Sequence, residues 1–439
     1  MNGILKRKVF FIRVRFTSPL NISSGEDEWT DADILKDCDG NPFVPGSSLA
    51  GAMRAYLEKE KNTPCMMGYS DRNDTGKMSS LFISDLIFDK NIVSGVRDGV
   101  ALDENKIAKT GSKYDMEILE GKVEGHFFME LAVRENDVNK EEQWSDEIAS
   151  VFQGIQNGEI RLGKKKTRGF GKFELLSVFV KTYQKDNYLD YADAYEESTW
   201  SDDADEKDIW LHRTVEEAKM FHIKVPLRLK GGISIRQYAA RKNEPDFVHL
   251  TDHQMPVIPG SSFAGAIRHR TESILSELLR DREEITIPVY KIINRAFGYA
   301  NNSQNEEAID EIQACASDII ISESEIRDAS FLTMVRTGIS RFESAVRDGA
   351  LYKERTCVDG RTELEIMVRK DDRDDEWIMG ILLLALKDLQ NGFLAVGGQT
   401  AIGRGVFLSD GPILIDGKEG REEEYIRNAF RCLVGNGGE

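Results

Sequence analysis

The strongest constraint on this chain is a stretch that it contains twice. Asn-Pro-Phe-Val-Pro-Gly-Ser-Ser-Leu-Ala-Gly-Ala-Met-Arg runs from Asn41 to Arg54, and Met-Pro-Val-Ile-Pro-Gly-Ser-Ser-Phe-Ala-Gly-Ala-Ile-Arg runs from Met255 to Arg268. Pro45 and Pro259 stiffen a turn, and Gly46 and Gly260 supply the dihedrals that a turn needs. The serines that follow, Ser47 and Ser48 in one copy and Ser261 and Ser262 in the other, read as caps of a helix. The first turn of such a helix leaves backbone N–H groups free and is a ready anion site, with phosphate its commonest guest. Gly51 and Gly265 inside the helix each cost roughly 1 kcal/mol against alanine. That cost implies that a strand or a ligand lies against the backbone there.

Further segments recur in the same order. The strand-like Phe221-His222-Ile223-Lys224-Val225 answers the opening strand at Lys8 to Arg15, read as an edge or half-buried strand. Ala296-Phe297-Gly298-Tyr299 answers Met66-Met67-Gly68-Tyr69, and Ser317 to Ser322 answers the strand Ser80 to Leu86. Two excursions of equal span follow, Arg97 to Gly121 and Arg336 to Gly360. Each half then has a helix, from Trp144 to Gln156 and from Trp377 to Leu389, and closes on a glycine loop. Those loops are Gly163-Lys164-Lys165-Lys166-Thr167-Arg168-Gly169-Phe170-Gly171 and Gly397-Gly398-Gln399-Thr400-Ala401-Ile402-Gly403-Arg404-Gly405. Such a series is an internal duplication, with units too long for a solenoid repeat.

Strands dominate each unit and helices separate them. The expected fold is α+β, with an antiparallel sheet and helices on one face in a split βαβ order. The expected boundaries are 1–183 for the first domain and 217–439 for the second. Between them, 184–216 is a linker rich in Asp, Glu, Tyr and Trp, either flexible or draped on the surface.

The formal net charge of −18 over 439 residues argues against indiscriminate nucleic-acid binding but leaves room for a local basic groove. Lys164, Lys165, Lys166 and Arg168 form such a patch, and Gly163 and Gly171 would let RNA approach the backbone. Arg54 and Arg268, two turns into their helices, would reach the same phosphates, and Arg404 is the one charge of the second loop. The five cysteines are scattered without a Cys-x-x-Cys pair, so neither a disulfide framework nor a zinc site is indicated. No apolar run reaches the ~20 residues of a membrane span. The alternation in Phe11 to Phe16 marks a strand rather than a signal core, so the expected location is the cytoplasm, away from membranes.

The Pro-Gly-Ser-Ser helix, the Met-Gly-Tyr segment and the Gly-Phe-Gly-Lys loop together resemble the RAMP superfamily, the RNA-binding subunits of CRISPR effector complexes. The resemblance is strongest to backbone subunits of type III effectors, here present twice in one chain. It implies two tandem ferredoxin-like, RRM-like domains whose inserted thumbs, Arg97–Gly121 and Arg336–Gly360, wedge into the guide–target duplex. Arg97 and Arg336 at the thumb bases then join the RNA-contacting residues. The implied partners are CRISPR guide RNA, single-stranded target RNA and other type III subunits.

Family backbone subunits cut target RNA with an aspartate in the loop before the Pro-Gly-Ser-Ser motif. The matching positions are Asp31 and Asp246, each six residues before a second aspartate, Asp37 or Asp252, that reads as a turn cap. Asp33 rivals Asp31 in the first copy. RNA supplies its own 2′-hydroxyl nucleophile, so cutting it needs in-line geometry, charge stabilisation and proton removal. A carboxylate can provide these by accepting a proton or by holding a divalent metal, magnesium above all, through waters. The opposing reading of Asp31 is a solvated acidic loop with Glu26, Asp27 and Glu28. Two alternatives remain at this level: a subunit that holds guide RNA and cuts nothing, and a guide-processing endoribonuclease. The second commonly works by histidine acid–base chemistry, and His249 and His253 have no counterpart in the first copy.

Overall fold

The computed structural model describes residues 3–23, 25, 29–58, 65–70, 76–90, 92–102, 107–200, 210, 218–238, 244–280, 288–299, 314–370 and 376–434. The chain divides into two compact units. One comprises Met1–Ala101, Thr110–Lys166 and Phe170–Ala218; the other comprises Lys219–Glu439 with Leu102–Lys109 and Thr167–Gly169.

In the first unit the elements are β1 (Ile4–Phe16), β2 (Phe43–Val44), α1 (Gly46–Leu57), β3 (Leu81–Ile83), β4 (Leu86–Phe88), β5 (Ser94–Leu102), β6 (Ala108–Leu119), β7 (Glu124–Arg134), α2 (Glu141–Gln156) and β8 (Phe173–Tyr183). The sheet runs β8-β1-β7-β4-β2, with β3 also on β7, and every pair is antiparallel. Last strand, first strand, post-excursion strand and the strand β4 before the excursion lie side by side, the order of a ferredoxin-like split βαβ fold. The opening strand is therefore central rather than an edge. Its run Val9-Phe10-Phe11-Ile12 is buried throughout because both sheet faces are covered.

Helices cover one face. Phe10, Ile12 and Val14 meet Leu49 and Met53 of α1 and Ile148, Phe152 and Ile155 of α2 in one core. The other face is covered by the segment expected to be a linker. Tyr188–Asp193 and Glu197–Thr199 form short 3-10 turns, which seat Ala194 and Trp200 on Val9, Phe11 and Phe128. Burying one such aromatic is worth about 1.5–3 kcal/mol, enough to hold a segment whose carboxylates stay in water. Trp210 reaches the helical core, its ring 5.3 Å from that of Phe10. Of the two expectations for the acidic segment, residues 186–200 are draped; 201–209 and 211–217 lie outside the described residues.

The strand expected over Ser80–Leu86 is broken at Ser84 and Asp85. The break matters below, because it turns the Asp85 carboxylate toward α1. The excursion is a β-hairpin of β5 and β6 that starts at Ser94, so Arg97 lies within a strand.

The second unit contains β9 (Met220–Lys230), β10 (Arg236–Tyr238), β11 (Phe247–His249), β12 (Met255–Ile258), α3 (Gly260–Leu279), α4 (Val289–Phe297), β13 (Ile319–Ile321), β14 (Ser330–Arg336), β15 (Tyr352–Val358), β16 (Arg361–Arg369), α5 (Glu376–Gln390), β17 (Val406–Ser409), β18 (Leu414–Ile415) and α6 (Glu422–Val434). Its sheet, β13-β16-β9-β17 with β18 also on β9, is antiparallel and repeats the order of the first. Strand β9 alternates as a half-buried strand should, with Ile223, Val225, Leu227 and Leu229 facing the core. The apolar run from Trp377 forms α5, buried because α6 adds Tyr425 and Ala429 over it. Hairpin β14–β15 is the second excursion, and β10 and β11 extend it, β11 pairing β15 in parallel. No helix among the described residues is long and apolar enough to cross a membrane.

Candidate nucleic-acid interface

Both repeated helices begin at glycine, after Pro45 (φ −58°, ψ 137°) and Pro259 (φ −60°, ψ 143°), and neither has a side-chain cap. The expected capping by Ser47, Ser48, Ser261 or Ser262 is thus corrected. In the first unit the Gly46 N–H donates to Asp85 Oδ1 at 2.7 Å, so a carboxylate of the chain itself takes the place foreseen for a phosphate. Glycine is required at the helix start because a Cβ at Gly46 would strike the Ile83 carbonyl, and one at Gly260 the Ile321 carbonyl.

The inner glycines are the reverse case. A Cβ at Gly51 or Gly265 would meet nothing within 4 Å, and both residues are exposed. The expectation that a strand packs there is overturned; what remains is an open backbone face on each helix. Arg54 and Arg268 look inward. Arg54 donates to the carbonyls of Met67 (2.8 Å) and Gly68 (3.1 Å), and Arg268 to the Gly298 carbonyl (3.1 Å) and Asn294 Oδ1 (2.8 Å). Their duplication is explained by a clasp on the Met-Gly-Tyr segment and its repeat, where Gly68 and Gly298 take φ of 67° and 80°.

The glycine loops share their anchoring backbone bonds. Leu162 N–H and Val396 N–H donate to the carbonyls of Gly171 and Gly405, at 3.0 and 2.9 Å. Lys164 N–H and Gly398 N–H donate to Asn21 and Ser234, at 2.9 and 2.8 Å. A Cβ at Gly171 or Gly405 would collide with the carbonyl of Leu162 or Val396, and one at Gly163 with that of Asn21. These glycines admit the chain's own backbone, so their expected role in letting RNA approach is corrected. Lys164, Lys165 and Lys166 stay exposed, with Lys165 Nζ 4.4 Å from the Tyr114 ring centre. Arg168 does not join them; it lies in the segment 167–169 that groups with the second unit.

Asp31 and Asp246 are both exposed and both dock on an excursion hairpin. Asp31 Oδ2 accepts from the Asp115 N–H at 2.9 Å, and its own N–H donates to Asp115 Oδ1 at 3.1 Å. Asp246 Oδ2 accepts from the Lys353 N–H at 2.8 Å. Oδ1 of each has no partner among the described residues. The surrounding backbone fixes the correspondence: Leu35 N–H donates to Ile22 at 2.8 Å and Leu250 N–H to Ile235 at 2.9 Å, four residues after each aspartate. Asp33 is buried and accepts from the Thr30 hydroxyl and the Trp29 N–H, so Asp31 is the accessible member of that pair. Asp37 caps its turn, accepting from Asp39 and Asn41 N–H at 2.9 and 2.8 Å, which holds its carboxyl below the usual range. Glu26, Asp27 and Glu28 lie outside the described residues.

His249 takes the place of Ile34. Its Nδ1 lies 3.4 Å from the Ile235 N–H and its Nε2 3.1 Å from the Val257 carbonyl, so both ring nitrogens face the backbone. Burial pushes its pKa down to about 4, which keeps it neutral and makes it a structural group.

Arg97 is buried in β5. Arg336 and Arg404 converge on Glu354, a carboxylate 1% exposed in β15. Arg336 Nε stands 2.7 Å from Glu354 Oε1 without hydrogen-bond alignment, and Arg404 Nη2 is 3.0 Å from the same oxygen. Arg236 Nη2 lies 3.8 Å from Oε2, to which Gln399 donates at 2.8 Å. Arg336 and Arg404 are candidates from the sequence, whereas neither Glu354 nor Arg236 is marked by repetition or motif, so their convergence is not legible there.

Comparison with known families completes the picture. The model of the RAMP superfamily matches residues 13–174 and again 222–407, one match in each half of the chain. Among curated proteins none matches.

Proposed function

Because the chain belongs to the RAMP superfamily, we propose that it is a guide-RNA-binding backbone subunit of a type III CRISPR ribonucleoprotein, carries two backbone units, and cuts guide-paired target RNA at two sites. The observation that supports this reading best is the matched placement of Asp31 and Asp246. Two exposed carboxylates occupy one backbone register, each with one oxygen fixed by a hairpin N–H and the other open. A carboxylate fixed on a hairpin is suited to orient the phosphate next to a 2′-hydroxyl where that hairpin would enter a guide–target duplex. The exposed Lys164, Lys165 and Lys166 and the open faces at Gly51 and Gly265 supply surfaces for the RNA backbone.

A magnesium ion fits these sites in a limited way. Magnesium keeps most of its waters and needs only one or two protein carboxylates. Oδ1 of Asp31, beside Asp115, and Oδ1 of Asp246 would hold it, and the bound ion would stabilise charge on the phosphate. No group of three or more metal-ligating side chains occurs among the described residues, so a dedicated protein cage is not the arrangement here.

In complexes reconstituted with guide RNA, Asp31→Ala is expected to slow one cut, and Asp246→Ala the other, by about 100-fold or more. Retention of both cuts in the double variant would sink the assignment. A second reading is favoured by the same hydrogen bonds: each aspartate is a clasp that orders its hairpin. Asparagine separates the two, since it keeps the acceptor oxygen and loses the charge. Catalysis predicts lost cutting with guide binding intact in Asp31→Asn and Asp246→Asn; a clasp predicts wild-type cutting.

A further inference from the structure

The arginine cluster around Glu354 carries more positive charge than the fold consumes. Three guanidiniums, from Arg236, Arg336 and Arg404, face one carboxylate. Arg404 is 7% exposed, and its Nη1 is buried with no hydrogen-bond partner among the described residues. Its Nη2 has only Glu354 and, at 3.9 Å, Met334 Sδ. A buried charge left partly unpaired is costly unless something compensates it. Burial also means that water does not screen the excess, so its field reaches Arg236 and Arg336, whose side chains are 40% and 29% exposed. Desolvation, together with the nearby Arg336 and Arg236, drives the Arg404 pKa down, as a cluster short of negative charge requires.

The cluster adjoins Asp246. Phe247 pairs in register with Glu354, and the Arg236 guanidinium lies 4.6 Å from the Phe247 ring centre. The Asp246 carboxylate is bound to the N–H of Lys353, the residue before Glu354.

We infer that Arg236 and Arg336 form a phosphate site beside Asp246, with Glu354 and the buried Arg404 as positioning residues that hold the two heads in place. Resting on the RNA-binding reading above, the inference names the ligand group as a backbone phosphodiester next to the second cleavage position. The first unit lacks such a site: Met116 and Phe170 stand where Glu354 and Arg404 stand in the second, within an apolar cluster.

The test uses the full chain and a single-stranded RNA oligonucleotide, with affinity measured by fluorescence polarisation over a sodium chloride series. Arg236→Gln/Arg336→Gln should lower affinity about 10-fold and reduce the salt slope by about 1, as loss of one or two phosphate contacts requires. Glu354→Met/Arg404→Phe, which installs the first unit's residues, removes one charge of each sign. It should lower affinity several-fold while leaving the salt slope unchanged, which a purely electrostatic role would not do. Circular dichroism melts confirm folding of each variant.

Wild-type affinity in Arg236→Gln/Arg336→Gln, while Lys164→Gln/Lys165→Gln/Lys166→Gln weakens binding, would overturn the phosphate site and leave the RNA reading intact. Wild-type affinity in Glu354→Met/Arg404→Phe would overturn the positioning role. If the wild type binds no RNA, the reading itself fails. Inorganic phosphate then decides the anion site: a rise in melting temperature that Arg236→Gln/Arg336→Gln abolishes supports it for a free oxyanion, and no rise overturns it.

Discussion

Where the excursion hairpin meets the glycine loop, the two units solve one backbone geometry with opposite chemistry. The first places Met116 and Phe170 in an apolar cluster with Ala32 and Ile118; the second places Glu354 and Arg404 in a buried ion cluster with Arg236 and Arg336. The loops themselves are alike, down to left-handed backbone at Lys165 (φ 58°) and Gln399 (φ 62°). Backbone hydrogen bonds and glycine therefore define the loop, and the side chains beneath it are free to diverge. Divergence at a buried position is costly in one direction only. An apolar cluster can lose a methyl group for a modest penalty, whereas a shared carboxylate cannot be removed without stranding every cation around it.

The largest effect should come from breaking that asymmetry on one side. Glu354→Ala leaves three guanidiniums without their carboxylate and is expected to destabilise the protein by about 3–5 kcal/mol. Glu354→Met/Arg404→Phe, which installs the first unit's apolar pair, removes the most buried cation together with the carboxylate. Only the partly exposed Arg236 and Arg336 are left without it, so the double variant is expected to cost less than Glu354→Ala. Urea unfolding of the two variants checks the difference. A single variant no worse than the double would show that Glu354 is not the keystone of the cluster.

How much of this was legible in the sequence follows from what repetition can reveal. Identical residues at matched positions exposed the duplication, the helix starts and the loops, the family resemblance together with a spacing shared by both copies pointed to Asp31 and Asp246, and the sheet order followed from the sequence of elements. Repetition could not say which way a side chain turns. Arg54 and Arg268 were correctly seen as equivalent, yet both are spent on carbonyls, and the serines after Gly46 and Gly260 cap nothing. Arg336 and Arg404 were singled out, but the carboxylate that gathers them was not, because Glu354 stands where the first copy has Met116. The acidic segment's composition left two readings open, flexible or draped; its aromatic residues, Trp200 above all, decide for draping over 186–200, and its many carboxylates do not.

His249 offers an intermediate effect that sharpens the same comparison. Its counterpart Ile34 cannot titrate, so a pH dependence at this position belongs to the second unit alone. The folded pKa is depressed from 6.5 to about 4 by burial. Between these values the unfolded chain binds a proton that the folded chain refuses, so stability falls as pH falls through the window from about 6.5 to about 4. The full loss is about 3 kcal/mol, reached below pH 4. His249→Ile, the first unit's residue, should remove this contribution, read as a shallower dependence of the urea midpoint on pH between 7 and 4.5. An unchanged slope would place the acid sensitivity elsewhere.

The smallest effects test a feature on which the two units agree. Gly51 and Gly265 sit inside exposed helices with open space where a Cβ would be, so nothing in the fold requires glycine there. Alanine at either position should raise stability by about 0.5–1 kcal/mol, because glycine gives up more backbone entropy on entering a helix. A ligand lying on the backbone would account for a residue that lowers stability and contacts nothing in the protein. Gly51→Ala and Gly265→Ala should therefore melt higher than wild type and bind guide RNA more weakly, each in proportion to how closely the RNA approaches that unit's helix. Higher melting with unchanged RNA affinity would separate the two traits and remove these helix faces from the interface.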